Sequence, residues 1–517
     1  GAMWDVVLSS SVTENGYNIV QCTGVPTLSL VLRVGDVVNV KQFGALGDEA
    51  TNDTPAIQAA IDSTRTTIER KDGYTLDALV GTVYFPKGVY VISKSDGFTV
   101  AGGYGLNLVG DGMYSTKLIY KGNGAGSSGI LSIEDSAYTN IRHITFYVDP
   151  AHPCSHAIEI NQVTGAPYLV SPSSTTMEFC DITGNDVMYQ GIKLTYETED
   201  SGNDFNLFRK VFIRGYTNFG VWLNGFQSHL NHFIDCSMSG LDLAEDFDNP
   251  SGDYAIYTQP QNNGFAASFI VEGGSYGAHS VADFYLGGAN QGFTIKSISQ
   301  EHSVRFIKSL GFITLSLFDV RWDSENLAAD AVFMDFPNGC TLDMDGCSIN
   351  GSEGSLVPKI KVAGDKGNIV RVQNCLFNTY IDGTNNVQTM PSFEQGATSI
   401  GYDDVVIEQC RFTHVNENRM DSYLDIDGNK GGDFVLNALY GNVTYYCNTA
   451  ATDVLTNITP LYNKQKIVLL LNGNMSIRNG VGGGNGINLK GGADLTSPDL
   501  FSVTLIYNES RGRWIET

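Results

Sequence analysis

The sequence predicts an all-β chain wound as a right-handed parallel β-helix, and three observations carry that expectation. Gly (58), Tyr (25) and Phe (26) are abundant while Pro (14) is scarce, a composition for strands closed by tight turns. A short motif, Cys followed two residues later by an apolar side chain, recurs along the chain. Between its copies a second apolar–x–apolar strand returns at a spacing of roughly one solenoid coil.

The Cys motif occurs as Cys180-Asp181-Ile182, Cys236-Ser237-Met238, Cys347-Ser348-Ile349, Cys375-Leu376-Phe377 and Cys410-Arg411-Phe412. Cys and the residue two beyond it share one side of a strand, so small buried cysteines are expected to fill a narrow interior. The second strand runs through Ile158, Ile192, Val221, Ile256, Phe284, Val304, Val332 and Ile360, advancing by 34, 29, 35, 28, 20, 28 and 28 residues. A β-sandwich, the competing architecture, would show shorter and less phased repeats. A coil cannot bury its own apolar face alone, so the stack needs neighbours and end caps.

Asn52-Asp53-Thr54-Pro55 reads as a helix start. Ile57, Ala60, Ile61 and Thr64 follow at helical spacing, as an N-terminal capping helix requires. Beyond Ile426 the repeat fades into Gly-rich sequence around two apolar runs, 467–471 and 501–507, which suggests a small C-terminal antiparallel β domain. The expected organisation is an N-terminal segment (1–35), a β-helix (36–440) and a C-terminal β domain (441–517). Gly1-Ala2-Met3 reads as an expression scar, with a native N-terminal region missing ahead of it.

The formal charge, 31 basic against 56 acidic residues, is −25, which disfavours nucleic acid and anionic membranes as partners. No apolar run reaches membrane-spanning length, so no membrane insertion is expected. The nine cysteines include no C-x-x-C pair, against zinc or a disulfide lattice. Residues 425–429 (Asp-Ile-Asp-Gly-Asn) have calcium-loop spacing without the later bidentate Glu, and 482–486 form a Gly-rich turn without a following Lys-Ser. No metal or cofactor is expected.

Residues Val38 to Asp48 (VNVKQFGALGD) and Asn52 to Ile61 (NDTPAIQAAI) resemble the opening of the pectate-lyase-like superfamily. Val83 to Ile92 (VYFPKGVYVI) and Leu106 to Gly112 (LNLVGDG) are similar to its first two coils. This resemblance covers about 36–120 and speaks for fold; the superfamily spans lyases, hydrolases and phage tailspikes. Three features favour tailspikes: no Gly-His-Gly or pectate-lyase arginine motif, no signal peptide, and a C-terminal stretch (503–507, 512–516) resembling terminal modules of phage tail proteins. The resemblance then implies a homotrimer in the virion, joined to the tail or baseplate through the missing N-terminal region. It further implies binding and depolymerisation of capsular polysaccharide or lipopolysaccharide. Free buried cysteines agree with assembly in a reducing host cytoplasm before release.

Glycoside hydrolysis needs two carboxyl groups flanking the bond, and neighbouring coils set equivalent positions about 5 Å apart. With Ile298 and Val320 placed in the slot two past Cys, Glu301 and Asp323 both fall three residues further on, as the catalytic pair. Glu325 lies two beyond Asp323, and Glu272 lies 29 before Glu301. Glu178, Asp345 and Glu408, each two before a Cys, show that in-phase carboxylates also occur as solvated faces. For substrate binding the candidates are Trp322, flanked by Arg321, and His302 beside Glu301. Arg305 and Lys308, one strand away, suit an acidic sugar, and Trp222 and Tyr257, at outward phase, suit a groove or a subunit interface. The alternatives for these are ordinary: Trp322 packed against the next coil, His302 and the cations simply solvated. The function expected is endo-glycosidic hydrolysis; elimination by a polysaccharide lyase and glycan binding without cleavage are the rivals.

Overall fold

Inward-facing columns of apolar side chains organise the chain. In the computed structural model the strands Gly103–Gly110 and Asn140–Arg142 and the first parts of Thr176–Tyr196 and Leu207–Asn224 lie parallel. Asn231–Ser239, Phe269–Gly277 and Gln291–Lys296 continue the same face. Along it Val83, Leu108, Ile141, Met177, Phe208, Phe233, Val271 and Ile295 stack rung over rung, all buried. Strand periodicity of two puts every second side chain in this column, and each coil buries it against the coils above and below.

The structure describes residues 3–324 except 15, 34, 70–74, 94–96, 123–127, 164–172, 197–202, 225–228, 242–251, 259–267 and 288–290. Beyond 331 it describes the strands named here and their immediate flanks. The chain folds as two compact units, 1–313 and 314–517.

In the first unit a three-stranded antiparallel sheet, ordered Trp4–Leu8, Leu28–Leu32, Ile19–Gln21, precedes the solenoid. The expected capping helix forms at Thr54–Asp62 and buries Ile57, Ala60 and Ile61. Asp53 ahead of it is fully buried, and its carboxylate accepts from the Leu46, Gly47 and Val91 amides, tying helix to first coil. Each coil then contributes to three parallel faces. The second carries Gly88–Ile92, Thr116–Tyr120 and Thr145–Val148. The third carries Phe98–Ala101, Gly129–Glu134, Cys154–Gln162, Tyr254–Thr258, Ala282–Leu286 and Ile307–Ser309.

Pairing register corrects three alignments; in the second unit Ile360 pairs with Met334 rather than with Val332. The third-face series runs Ile158, Ile192, Val221, Ile256, Phe284, Ile307, so Ile307 rather than Val304 holds the sixth place and Val304 is exposed in the turn before it. Val211 pairs with Cys180, and Cys236 with Gly274, so other small or branched residues share the Cys slot. Ser275 pairs with Ser299, which puts Ile298 in the Cys slot itself, two residues off the expected alignment. Register within the second unit puts Val320 there as well, opposite Cys347. Because both references slip equally, Glu301 and Asp323 remain three past their respective slots. Cys180, Cys236, Cys347 and Cys375 are buried free thiols, as expected, and Cys410 lies outside the described residues. Burial pushes the Cys180 and Cys236 thiols up to about 12, so they stay protonated and inert.

The residue before the Cys slot turns the corner in a left-handed conformation. His143, Phe179, Lys210, Asp235, Gly273 and Ser297 hold it in the first unit; Asp319, Gly346 and Asn374 do in the second.

The second unit keeps three parallel series: Arg321–Ser324 with Ser348–Gly351, Leu376–Tyr380 and Arg411–Val415; Cys340–Asp345 with Ile369–Gln373 and Asp404–Glu408; Val332–Phe336 with Lys359–Val362 and Phe393–Gln395. A separate ten-stranded sheet follows from Leu424. Its early strands Leu424–Asp427, Val443–Asn448 and Lys466–Asn472 still pair parallel. The expected antiparallel pairing joins Ser476–Ile477 to Leu495–Thr496, and Phe501–Asn508 to both Lys466–Asn472 and Arg513–Glu516. Trp514 is fully buried there and donates its indole N–H to the Ile458 carbonyl at 2.8 Å.

Candidate functional site

On the second face of the first unit, Leu118, Phe146, Ile182 and Ile213 point inward and are buried. Alternation therefore sends Lys117, Tyr147, Asp181, Thr183 and Arg214 to the outer side. Lys117, Thr145 and Asp181 occupy successive rungs of one column; Ile119, Tyr147, Thr183 and Arg214 occupy the next. Stacking brings these groups together from four coils. The Lys117 ammonium lies over the Tyr147 ring, 4.7 Å from its centroid. Arg214 donates to both Asp181 carboxylate oxygens, at 3.1 and 3.4 Å, and to Thr183 Oγ1 at 3.1 Å. Thr183 in turn donates to Asp181 Oδ2 at 2.9 Å. Asp149 and His152 sit half-exposed just past the end of the Tyr147 strand.

Asp181 is 1% exposed. Burial pushes its carboxyl above the ordinary carboxylate range, opposed by the charge of Arg214, by hydrogen bonds from Thr183 and Arg214, and by the charge of Lys117. The arrangement offers two cations, a phenol and a buried carboxyl paired to one of the cations on one outer face. The sequence reading missed it because no local motif links residues 117, 147, 181 and 214. The signal was available only as outward phase across aligned coils.

Several expected site residues lie elsewhere. Glu301 is exposed at the end of the short strand Ser299–Glu301, paired with Gly277. Glu272 pairs with Lys296 on the first face, across the left-handed corner at Gly273 and Gly274, so it does not share Glu301's face. It is ion-paired to Lys296 (2.9 Å) and 3.6 Å from His232, and the Lys296 hydrogen bond holds its carboxyl below the usual range, the opposite of an acid catalyst. Asp323, in the second unit, pairs with Arg321 at 2.9 Å and accepts from Asn350. Glu325 lies outside the described residues. Trp322 is fully buried with its ring 4.5 Å from Phe333, so it packs inside and offers no face to a sugar. Its partner Ile349 stands two past Cys347 on the inward side, the same parity as Val320, so the packed alternative for Trp322 is the one that holds. His302 is half-buried with left-handed backbone. Arg305 belongs to the turn before Ile307, its carbonyl accepting from the Asp283 amide, while Lys308 faces Tyr285.

Trp222 and Tyr257 do lie outward and in register on the third face, followed by Tyr285 and Lys308. Tyr257 stacks between Phe219 (4.4 Å) and Tyr285 (4.5 Å), so its ring faces are already covered. The preceding rungs hold Glu159 and Lys193, ion-paired at 2.7 Å, with Thr195 donating to Glu159 and His156 3.6 Å from it. Among the described residues no group of three or more His, Cys, Asp or Glu side chains is placed to hold a metal.

Residues 37–152 match the family described as rhamnogalacturonase A/epimerase, pectate lyase-like. The chain is 40% identical over 100 residues to mannuronan C5-epimerase AlgE1 of Azotobacter vinelandii, covering 19% of this chain and 6% of that protein. It is 48% identical over 58 residues to alginate lyase 7 of the same organism, covering 11% and 6%. The chain thus spans a small fraction of the length of these curated relatives. The crystal structure of full-length tailspike protein 2 from Escherichia coli O157:H7 bacteriophage CAB120 is similar with a TM-score of 0.49 and 12% identity, over 99% of this chain and 66% of that one. With its capping helix and three parallel faces the chain is a parallel β-helix, and its opening coils, residues 37–152, match a pectate-lyase-like family.

Proposed function

We propose that this protein is a polysaccharide-acting enzyme that cleaves an acidic, uronate-containing polymer by β-elimination at the Lys117–Tyr147–Asp181–Arg214 site. One observation carries the reading: two cations, a tyrosine and a buried carboxyl converge from four coils onto one outer face. Elimination removes the proton next to the uronate carboxylate. The electron pair forms the C4–C5 double bond, and the glycosidic oxygen leaves with the C4–O pair and gains a proton. Negative charge develops on the substrate carboxylate, where Lys117 and Arg214 can stabilise it. Tyr147 is the group beside them able to carry the proton, and Asp181 holds the Arg214 guanidinium in place. The matched relatives, named as an epimerase and a lyase of uronate polymers, support this chemistry. The tailspike resemblance supports a bacterial surface polysaccharide as the natural polymer. With it go a homotrimer in a phage virion, attachment to the tail through an N-terminal region, and assembly in the host cytoplasm.

Hydrolysis with Glu301 as a catalytic carboxyl is the second reading, supported by the exposed position of Glu301 at a strand end. Incubation with mannuronan, polygalacturonate and capsules from a panel of strains separates the two. Elimination yields an ultraviolet-absorbing unsaturated end; Lys117→Gln is expected to lower kcat about 100-fold with the melting temperature kept, and Arg214→Gln to lower kcat as much with a lowered melting temperature, because it leaves buried Asp181 without its ion pair. Reducing ends without that absorbance, lost in Glu301→Gln and kept in Arg214→Gln, would establish hydrolysis instead.

A further inference from the structure

We propose that the corner formed by His143, Phe179 and Lys210 is a binding ridge for acidic polysaccharide along the rim of the candidate site. The inference rests on that site being where the polymer is held. All six corner positions in the first unit adopt positive φ, so left-handed backbone is the architecture of the turn and not by itself a sign of function. The choice of residue is informative. Asp235, Gly273 and Ser297 are short residues suited to such a turn, whereas His143 (φ 61), Phe179 (φ 52) and Lys210 (φ 51) are bulky and carry the steric penalty of that conformation. These three rungs are the ones whose strands continue into Tyr147, Asp181 with Thr183, and Arg214.

The side chains form one stack. The His143 and Phe179 rings lie 5.3 Å apart at 18°, and the Lys210 ammonium sits 5.7 Å from the Phe179 centroid on the next rung. Phe179 remains 38% exposed, so backbone strain and a part-exposed aromatic coincide at one residue. Beside the ridge, Arg142 and Arg209 flank Glu178 at 3.1 and 3.2 Å, with the arginines about half-exposed and Glu178 largely covered. Three cations against one carboxylate leave this edge net positive by two in a chain of net charge −25. A polymer that alternates apolar C–H surface with carboxylates meets aromatic edges and cations there at a repeat of one rung.

The test is the Phe179→Asn, Lys210→Asn double variant of the full chain, because asparagine suits the left-handed corner and the fold is kept. Binding of mannuronan and polygalacturonate oligosaccharides, with neutral dextran as control, is measured by calorimetry at low and high salt. The ridge predicts about tenfold weaker binding of at least one acidic ligand, a shallower salt dependence, and a melting temperature equal or higher. Equal affinity in the variant overturns the proposal. So does a wild-type protein that binds neither acidic ligand, or binds dextran as well. A wild type that binds acidic oligosaccharide through the ridge without eliminating it would refute the catalytic reading and leave the ridge standing.

Discussion

Acid should weaken the third face through His156. This side chain is 3% exposed beside Glu159 and Lys193, and burial, with the nearby Lys193 charge, lowers its pKa to about 4 from an ordinary 6.5, against the pull of Glu159. A group whose folded pKa is depressed contributes stability that is fully present above the unfolded value and is lost as pH falls towards the folded one. The window is therefore pH 6.5 down to about 4. Linkage with these two values puts the loss at about 2 kcal/mol at pH 5, rising towards about 3 kcal/mol below pH 4. His156→Gln removes the titration while keeping a polar side chain opposite Gln190. Urea unfolding of both proteins at pH 7 and pH 5 is the assay. The wild type should lose about 2 kcal/mol more between the two pH values than the variant. Identical pH dependence would refute the reasoning, since it would mean that His156 charges as readily in the fold as outside it.

Two further outcomes follow from the same geometry. Phe205 is 56% exposed at φ 59 in the turn before the first face, so Phe205→Asn should raise stability by about 1 kcal/mol, read as a higher melting temperature. In the interior, Asp283 accepts from Ser303 and pairs with His279, both at 2.6 Å, while His279 meets the Tyr216 hydroxyl at 2.5 Å, all buried. Asp283→Ala strands these partners and should cost about 3 kcal/mol, seen as a lowered urea midpoint.

The repeat was legible in the sequence because a solenoid uses one packing solution again and again. Ile158, Ile192, Val221, Ile256 and Phe284 hold equivalent places, and each must be apolar for the coils to stack. The capping helix was legible for a local reason: Pro55 and the spacing of Ile57, Ala60 and Ile61 suffice to specify it. The exact phase was not. Corners consume a residue in left-handed conformation, and turn lengths vary from coil to coil, so an alignment by pattern alone slipped two residues at Ile298 and three at Val304. The corner itself was also unseen, so Glu272 was expected near Glu301 although a corner separates the faces they occupy.

Composition and period by themselves determined that this chain is a parallel β-solenoid with a capped start, because burial of repeated apolar stripes has few other solutions. The resemblance of about 36–120 to the opening of the pectate-lyase-like superfamily belongs to the same level, and residues 37–152 match such a family. Only the tertiary structure decided which outward residues meet. Lys117, Tyr147, Asp181 and Arg214 are separated by about thirty residues at each step, and only the hydrogen-bonded register of successive coils, one strand spacing apart, makes them neighbours.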